Sequence, residues 1–285
     1  MWKALYLRME ALAGNTTDPL NAASLCEASA SLYRDTIQTC FGTQELLAEE
    51  IGLPSCVDHK LTNCFYLSNN GKLTLARILT CFAYNQPDIQ YCPMLYLIAS
   101  ILRHYLSEED TYGLLAIMSA SKRSKYLYLS KNEVDVACMT AYELSRIFAR
   151  KHLMFVEVSS SQEEMMNFFN NWLWWIFDHL PFPHVVRIID CYLVEGCKIF
   201  YRVTFALVRI FVKCIRSGTS KWKGILESRG LMGGFMYFCR EIPVSFLKSF
   251  SHSPHLCIVY ISLSFTVQKK ENFILKNFSR SVQII

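Results

Sequence analysis

Five cations, Lys198, Arg202, Arg209, Lys213 and Arg216, recur at a spacing that could hold an anion. At about 100° per helical residue they fall within roughly 60° of one another, while Val203, Ala206, Leu207 and Ile210 fall on other faces and can pack. No acid stands between Lys198 and Arg216, so the charges repel one another until a counter-charge arrives. A multiply phosphorylated inositol head group would relieve that repulsion. So would an anionic leaflet, which contributes about 1 kcal/mol per nearby Lys or Arg.

Other chemistry-bearing clusters lack a necessary part. Gly71-Lys72-Leu73-Thr74 has the flavour of a phosphate-binding loop, which needs Gly where Tyr66 stands and Ser or Thr where Leu73 stands. Cys56, His59 and Cys64 give three zinc ligands where a structural site needs four. His179 and His184 flank a loop without a Ser or Cys nucleophile nearby, and are expected at the surface or at helix ends. No catalytic residue, metal, cofactor or nucleic-acid partner is expected.

Helices must position these groups. Periodicity predicts helices over 20–50 (one or two, with Asp18 as cap), 72–84, 89–105, 133–152 and 162–179. Asn69-Asn70-Gly71 reads as a turn, and Ser107-Glu108-Glu109-Asp110 as a capping box with acids over the positive end of a helix dipole. Loops are expected near 52–70, 85–90, 119–132, 156–161 and 180–184. Strand-like alternation is scarce, so the predicted fold class is all-α.

A chain of 285 residues with 52% apolar and 19% charged residues suits a packed domain and excludes general disorder. Charge is uneven: residues 1–170 carry 14 basic against 18 acidic groups, and residues 171–285 carry 15 against 6. The second half is therefore expected to meet an anionic partner. The twelve cysteines form no Cys-x-x-Cys pair and mostly sit in apolar runs, which predicts a reduced cytoplasmic protein. Arg8 and Glu10 interrupt the first apolar run, so no secretory leader is expected. The best membrane-span candidate, 199–215, contains Arg202, Arg209 and Lys213 and is not expected to span. Composition changes after Pro243, which suggests a domain over 1–245 and an atypical tail over 246–285.

The run Asn171 to Gly196, followed by the helix to Lys213, resembles the C-terminal half of the TBC domain, an all-helical fold of Rab GTPase-activating proteins. Tyr84 to Leu115 is similar to a second TBC segment, and Trp2 to Leu7 to the opening helix entered part-way along, which implies N-terminal truncation. In that family an Arg from an Ile-x-x-Asp-x-x-Arg motif neutralises phosphate charge and a Gln from Tyr-x-Gln positions water. The arginine finger alone is worth about 10³–10⁵ in rate. Here the first motif aligns with Asp58 in place and Leu61 at the arginine position, with Lys60 one residue off. The second aligns as Tyr91-Cys92-Pro93, so proline stands where the glutamine should. The resemblance implies a module without either finger, close to the Skywalker-like branch of synaptic vesicle traffic, in which a TLDc domain follows. Of that branch's phosphoinositide pocket only Arg202, in Tyr-Arg-Val, carries over. The implied partners are a small GTPase of Rab or Arf type and a phosphoinositide-bearing membrane, with the protein peripheral on a vesicle or the plasma membrane. The enzyme-class alternative is an active GTPase activator using an unconventional Arg such as Arg77 or Arg103. Lys269 to Arg280 resembles what the branch places after Pro-Val-Ser, so 246–268 reads as an insertion.

Overall fold

The computed structural model describes residues 2–13, 19–42, 51–121, 125–148, 150, 154, 162–217 and 220–242, and every regular element among them is a helix. Asp18 and the tail from Pro243, including Lys269 to Arg280, lie outside the described residues. The chain divides into two compact units.

The first unit holds residues 1–133 together with the short segment Leu193–Cys197. Its helices are α1 (Trp2–Ala13), α2 (Pro19–Phe41), α3 (Asn69–Asn85), α4 (Leu95–Leu102) and α5 (Glu108–Ala120). α4 is apolar on all sides and buried along almost its whole length, where it packs against α3 and α5. α1 and α2 meet α5 at Gly113, where an added Cβ would lie 2.0 Å from the Tyr6 hydroxyl oxygen. The start expected at Ser107 is present as an N-cap: Ser107 Oγ accepts from Asp110 N at 3.1 Å. The acids behind it collect cations from three helices, Lys3 on Asp110 at 3.0 Å, Arg34 on Glu109 at 3.0 Å and Arg77 on Glu108 at 2.7 Å.

Two expectations fail here. Asn69-Asn70-Gly71 is the first turn of α3 rather than a separate turn, because Ser68 Oγ accepts Gly71 N at 3.1 Å and caps the helix. The helix expected over 89–105 shrinks to Leu95–Leu102, because Cys92 N donates to Cys56 O at 2.6 Å and Pro93 follows at once. The Leu193–Cys197 segment straps onto this unit: Cys197 N donates to Lys125 O at 2.8 Å and Tyr126 Oη to Leu193 O at 3.4 Å.

The second unit holds 134–192 and the described residues from 198 onward. Into it run α6 (Lys131–Phe148), α7 (Gln162–Asn170), α8 (Trp172–Trp174) and a π turn over Trp175–His179. α9 (Phe182–Glu195), α10 (Lys198–Arg216) and α11 (Ser220–Glu241) complete the order. The single helix expected over 162–179 is therefore interrupted at Asn171 and underwound into a π turn after Trp174. The interruption turns Trp175 into an aromatic core, with Phe168 at 4.2 Å and Phe235 at 4.6 Å between ring centroids.

α11 is not one rod. Gly230 has φ 65° and ψ −176°, and beyond it the chain folds back on itself. A Cβ on Gly234 would touch Leu226 Cδ2 at 3.0 Å and Ile225 Cγ2 at 3.7 Å, and the Trp222 and Tyr237 rings lie 6.3 Å apart. In a straight helix Trp222 and Tyr237 would stand about 22 Å apart at 1.5 Å per residue. The element is thus a helical hairpin turning at a left-handed glycine and closing over another.

Candidate functional site

The five cations lie in register on α10, but not in one environment. Ile199, Phe200, Tyr201 and Arg202 are all buried, and four consecutive helical residues point in every direction around the axis. The first turn of α10 is therefore enclosed on all sides, and Arg202, 6% exposed, sits within it. Arg209 is half-buried, while Lys213 and Arg216 are exposed. Lys198, half-buried, Arg202 and Arg216 already engage neighbouring groups. The row spans about 27 Å at 1.5 Å per residue, far longer than one small head group. It offers an enclosed end at Lys198 and Arg202 and an open end from Arg209 to Arg216. Of the residues expected to pack, Leu207 is buried, whereas Val203, Ala206 and Ile210 are only half-buried. The buried face instead carries Thr204, Phe205, Val208, Phe211 and Val212.

The second candidate region lies in the first unit. Tyr91 Oη donates to Asp58 Oδ2 at 2.7 Å, and the backbone N–H of Lys60 donates to Asp58 Oδ1 at 2.9 Å. Leu61 N also donates to Asp58 O at 2.9 Å. These bonds join the loop around Asp58 to the segment before α4, so the neighbourhoods of Leu61 and Pro93 are tied together. Leu61 is half-buried and Pro93 buried, and neither has a side-chain hydrogen-bonding group. The Lys60 side chain is exposed. The Asp58–Tyr91 bond thus ties together two segments that carry Leu61 and Pro93, whose side chains have no group that could bind a phosphate or orient water.

Arg77 and Arg103 are both committed elsewhere. Arg77 grips Glu108 with Nε at 2.9 Å and Nη2 at 2.7 Å, and Tyr33 Oη donates to Glu108 at 2.6 Å. The Glu108 hydrogen bond raises the Arg77 pKa further above its ordinary value, and burial pushes the Tyr33 phenol far up. Arg103 Nε donates to Thr74 Oγ1 at 3.3 Å and its Nη1 donates to Leu106 O.

The histidines were expected at the surface or at helix ends; both stand at helix ends, but neither is at the surface. His184 is fully buried, with Nε2 3.0 Å from Ile242 O. His179 is 4% exposed, with Nδ1 3.2 Å from Arg240 Nη2 and 3.4 Å from Asp178 Oδ2. The π turn rotates His179 inward, and desolvation then lowers its pKa. Among the described residues, no three His, Cys, Asp or Glu side chains are placed to hold a metal ion, and Cys56 is buried while His59 is exposed. No described helix is long and apolar enough to cross a membrane.

The sequence profile of the Rab-GTPase-TBC domain matches residues 54–215, more than half of the chain. The chain belongs to the TBC family. It is 34% identical over 215 residues to the GTPase-activating protein skywalker of Drosophila melanogaster, a match covering 75% of this chain and 36% of that protein. To TBC1 domain family member 24 of Xenopus laevis it is 29% identical over 220 residues, covering 75% and 37%. The chain therefore spans about a third of the length of the curated relatives it matches. The crystal structure of the TBC domain of Skywalker/TBC1D24 from Drosophila melanogaster superposes with a TM-score of 0.71 at 32% identity, covering 85% of this chain and 78% of that one. A crystal structure of the same domain in complex with inositol(1,4,5)triphosphate gives 0.70 at 29% identity, covering 90% and 94%. The TBC fold positions α10 and the Asp58–Tyr91 frame. Reasoning from sequence passed over Lys221 and Arg229, which meet at Tyr237 only because α11 folds back. The one signal available was the excess of basic residues after 171.

Proposed function

We propose that residues 1–245 form a TBC module that binds a small GTPase of Rab or Arf type without supplying either catalytic finger, and that holds it at a phosphoinositide-bearing membrane. The observation that supports this reading is the Tyr91–Asp58 bond at 2.7 Å, which ties together the two segments that the family resemblance aligns with the finger motifs, Leu61 and Pro93 being the residues aligned with the fingers. Without a guanidinium and a carboxamide there, acceleration of the order an arginine finger provides, about 10³–10⁵, is not expected. The capture of Arg77 by Glu108 and of Arg103 by Thr74 and Leu106 O weighs against the enzyme-class alternative. Membrane association is assigned to the row Lys198, Arg202, Arg209, Lys213 and Arg216, and the likeness to a domain crystallised with an inositol trisphosphate supports it. The protein would then be peripheral on the cytoplasmic face of a vesicle or the plasma membrane.

Two measurements test this. Single-turnover GTP hydrolysis by a panel of Rab and Arf proteins should be unchanged by the chain, and stimulation by two or more orders of magnitude would refute the fingerless reading. Reversing Arg209 and Lys213 to Glu should remove binding to phosphoinositide vesicles. These two are chosen over Arg202 because an acid at that buried position would perturb the core. Undiminished binding in a folded variant would refute the membrane assignment.

A further inference from the structure

The α11 hairpin carries a second cationic centre, made of residues outside the row on α10. Lys221 Nζ lies 5.5 Å from the centroid of the Tyr237 ring, and the guanidinium carbon of Arg229 lies 5.3 Å from the same point. Both side chains are exposed, and among the described residues neither has a carboxylate partner. Lys221 and Tyr237 would stand about 24 Å apart in an unbroken helix. The turn at Gly230 and the close approach at Gly234 therefore bring two like charges to one ring. The ring's negative face offsets part of their repulsion, and an external anion would offset the rest.

Every other charge on the hairpin is accounted for. Lys223 is exposed and adds to the positive side, Glu227 and Glu241 are exposed, and Arg240 turns to His179 at 3.2 Å. Trp222 is half-buried against Phe211, Tyr237 and Phe238, at 6.3, 6.3 and 6.1 Å between centroids. Exposed cations beside half-buried Trp and Tyr form the combination favoured at the head-group level of a bilayer, where amphipathic rings sit between apolar and wet surroundings. A small soluble phosphate would instead call for a concave, enclosing pocket, and these cations lie on an outer surface.

We propose that the α11 hairpin, through Lys221, Arg229 and Tyr237, is a contact site for an anionic lipid surface, separate from the row on α10. The probe is the full chain co-sedimented with phosphatidylcholine vesicles containing phosphatidylserine. At the affinity each Lys or Arg contributes near such a leaflet, Lys221→Ala/Arg229→Ala weakens partitioning about 30-fold at low salt, with the melting temperature unchanged. The charge-conserving Lys221→Arg/Arg229→Lys retains binding within about twofold, since a leaflet reads charge rather than fork geometry. Unchanged partitioning of the alanine variant overturns the proposal. So does an equal loss in the charge-conserving variant, which would assign the pair a structural role. Arg209→Ala/Lys213→Ala, measured in parallel, reports on the α10 row alone, so the failure of one assignment is distinguishable from that of the other.

Discussion

Arg77 decides between an arginine that builds the domain and one that serves chemistry, and its replacement by Met separates the two. Met keeps the apolar stem and removes both donors that Glu108 receives, at 2.9 and 2.7 Å. Deleting one member of a fully buried pair costs about 3–5 kcal/mol. Here the Arg77 and Glu108 side chains keep 31% and 19% exposure, and Glu108 retains the Tyr33 hydroxyl at 2.6 Å. Water and that remaining donor offset part of the loss, so Arg77→Met is expected to cost about 2 kcal/mol. Glu108→Gln should cost a similar amount, and the double variant should fall short of the sum by about 1–2 kcal/mol, the coupling of the pair. Urea unfolding followed by far-UV circular dichroism measures all four proteins, and an unchanged m value licenses the comparison. If Arg77→Met lies within about 0.5 kcal/mol of the parent and the cycle is additive, the Arg77–Glu108 pair does not hold the helices together. The finger alternative would then return.

Two further outcomes follow from packing and burial. Gly113→Ala drives a methyl group into the Tyr6 hydroxyl and should destabilise the protein by about 1–3 kcal/mol in the same urea assay, despite alanine's better helix propensity. His179 has a folded pKa below its ordinary value of 6.5, so the unfolded chain binds its proton first. Its contribution is intact above pH 6.5 and is lost as pH falls below it, by at most about 1.4 kcal/mol per pH unit. His179→Gln should flatten the stability profile below pH 6.5, and an unaltered slope would contradict the burial argument.

What the sequence disclosed was local. The Ser107 cap, most of the helical periods and the helix that carries Lys198 to Arg216 depend on residues within a few turns, and these appear, while the helices expected over 89–105 and 162–179 come out shortened or broken. What it concealed depends on distant partners. The shortening before α4 needs Cys56 to meet Cys92, and the burial of His184 needs Ile242 O. The exposure of the cationic row differs along α10 because its first turn is enclosed while its last is not. Gly230 carries no mark that distinguishes a hairpin turn from a tolerated helical glycine, and only the contacts of Gly234 with Ile225 and Leu226 reveal it.

The strap at Leu193–Cys197 has a consequence for how this polypeptide is made. Tyr126 and Lys125 wait for a segment encoded far downstream, so the amino-terminal body stays unfinished while the ribosome adds the helices in between. At roughly 5–20 residues per second that interval lasts several seconds. A recombinant fragment ending near residue 133 should therefore emerge with an unclosed seam at Tyr126 and a tendency to be held by chaperones.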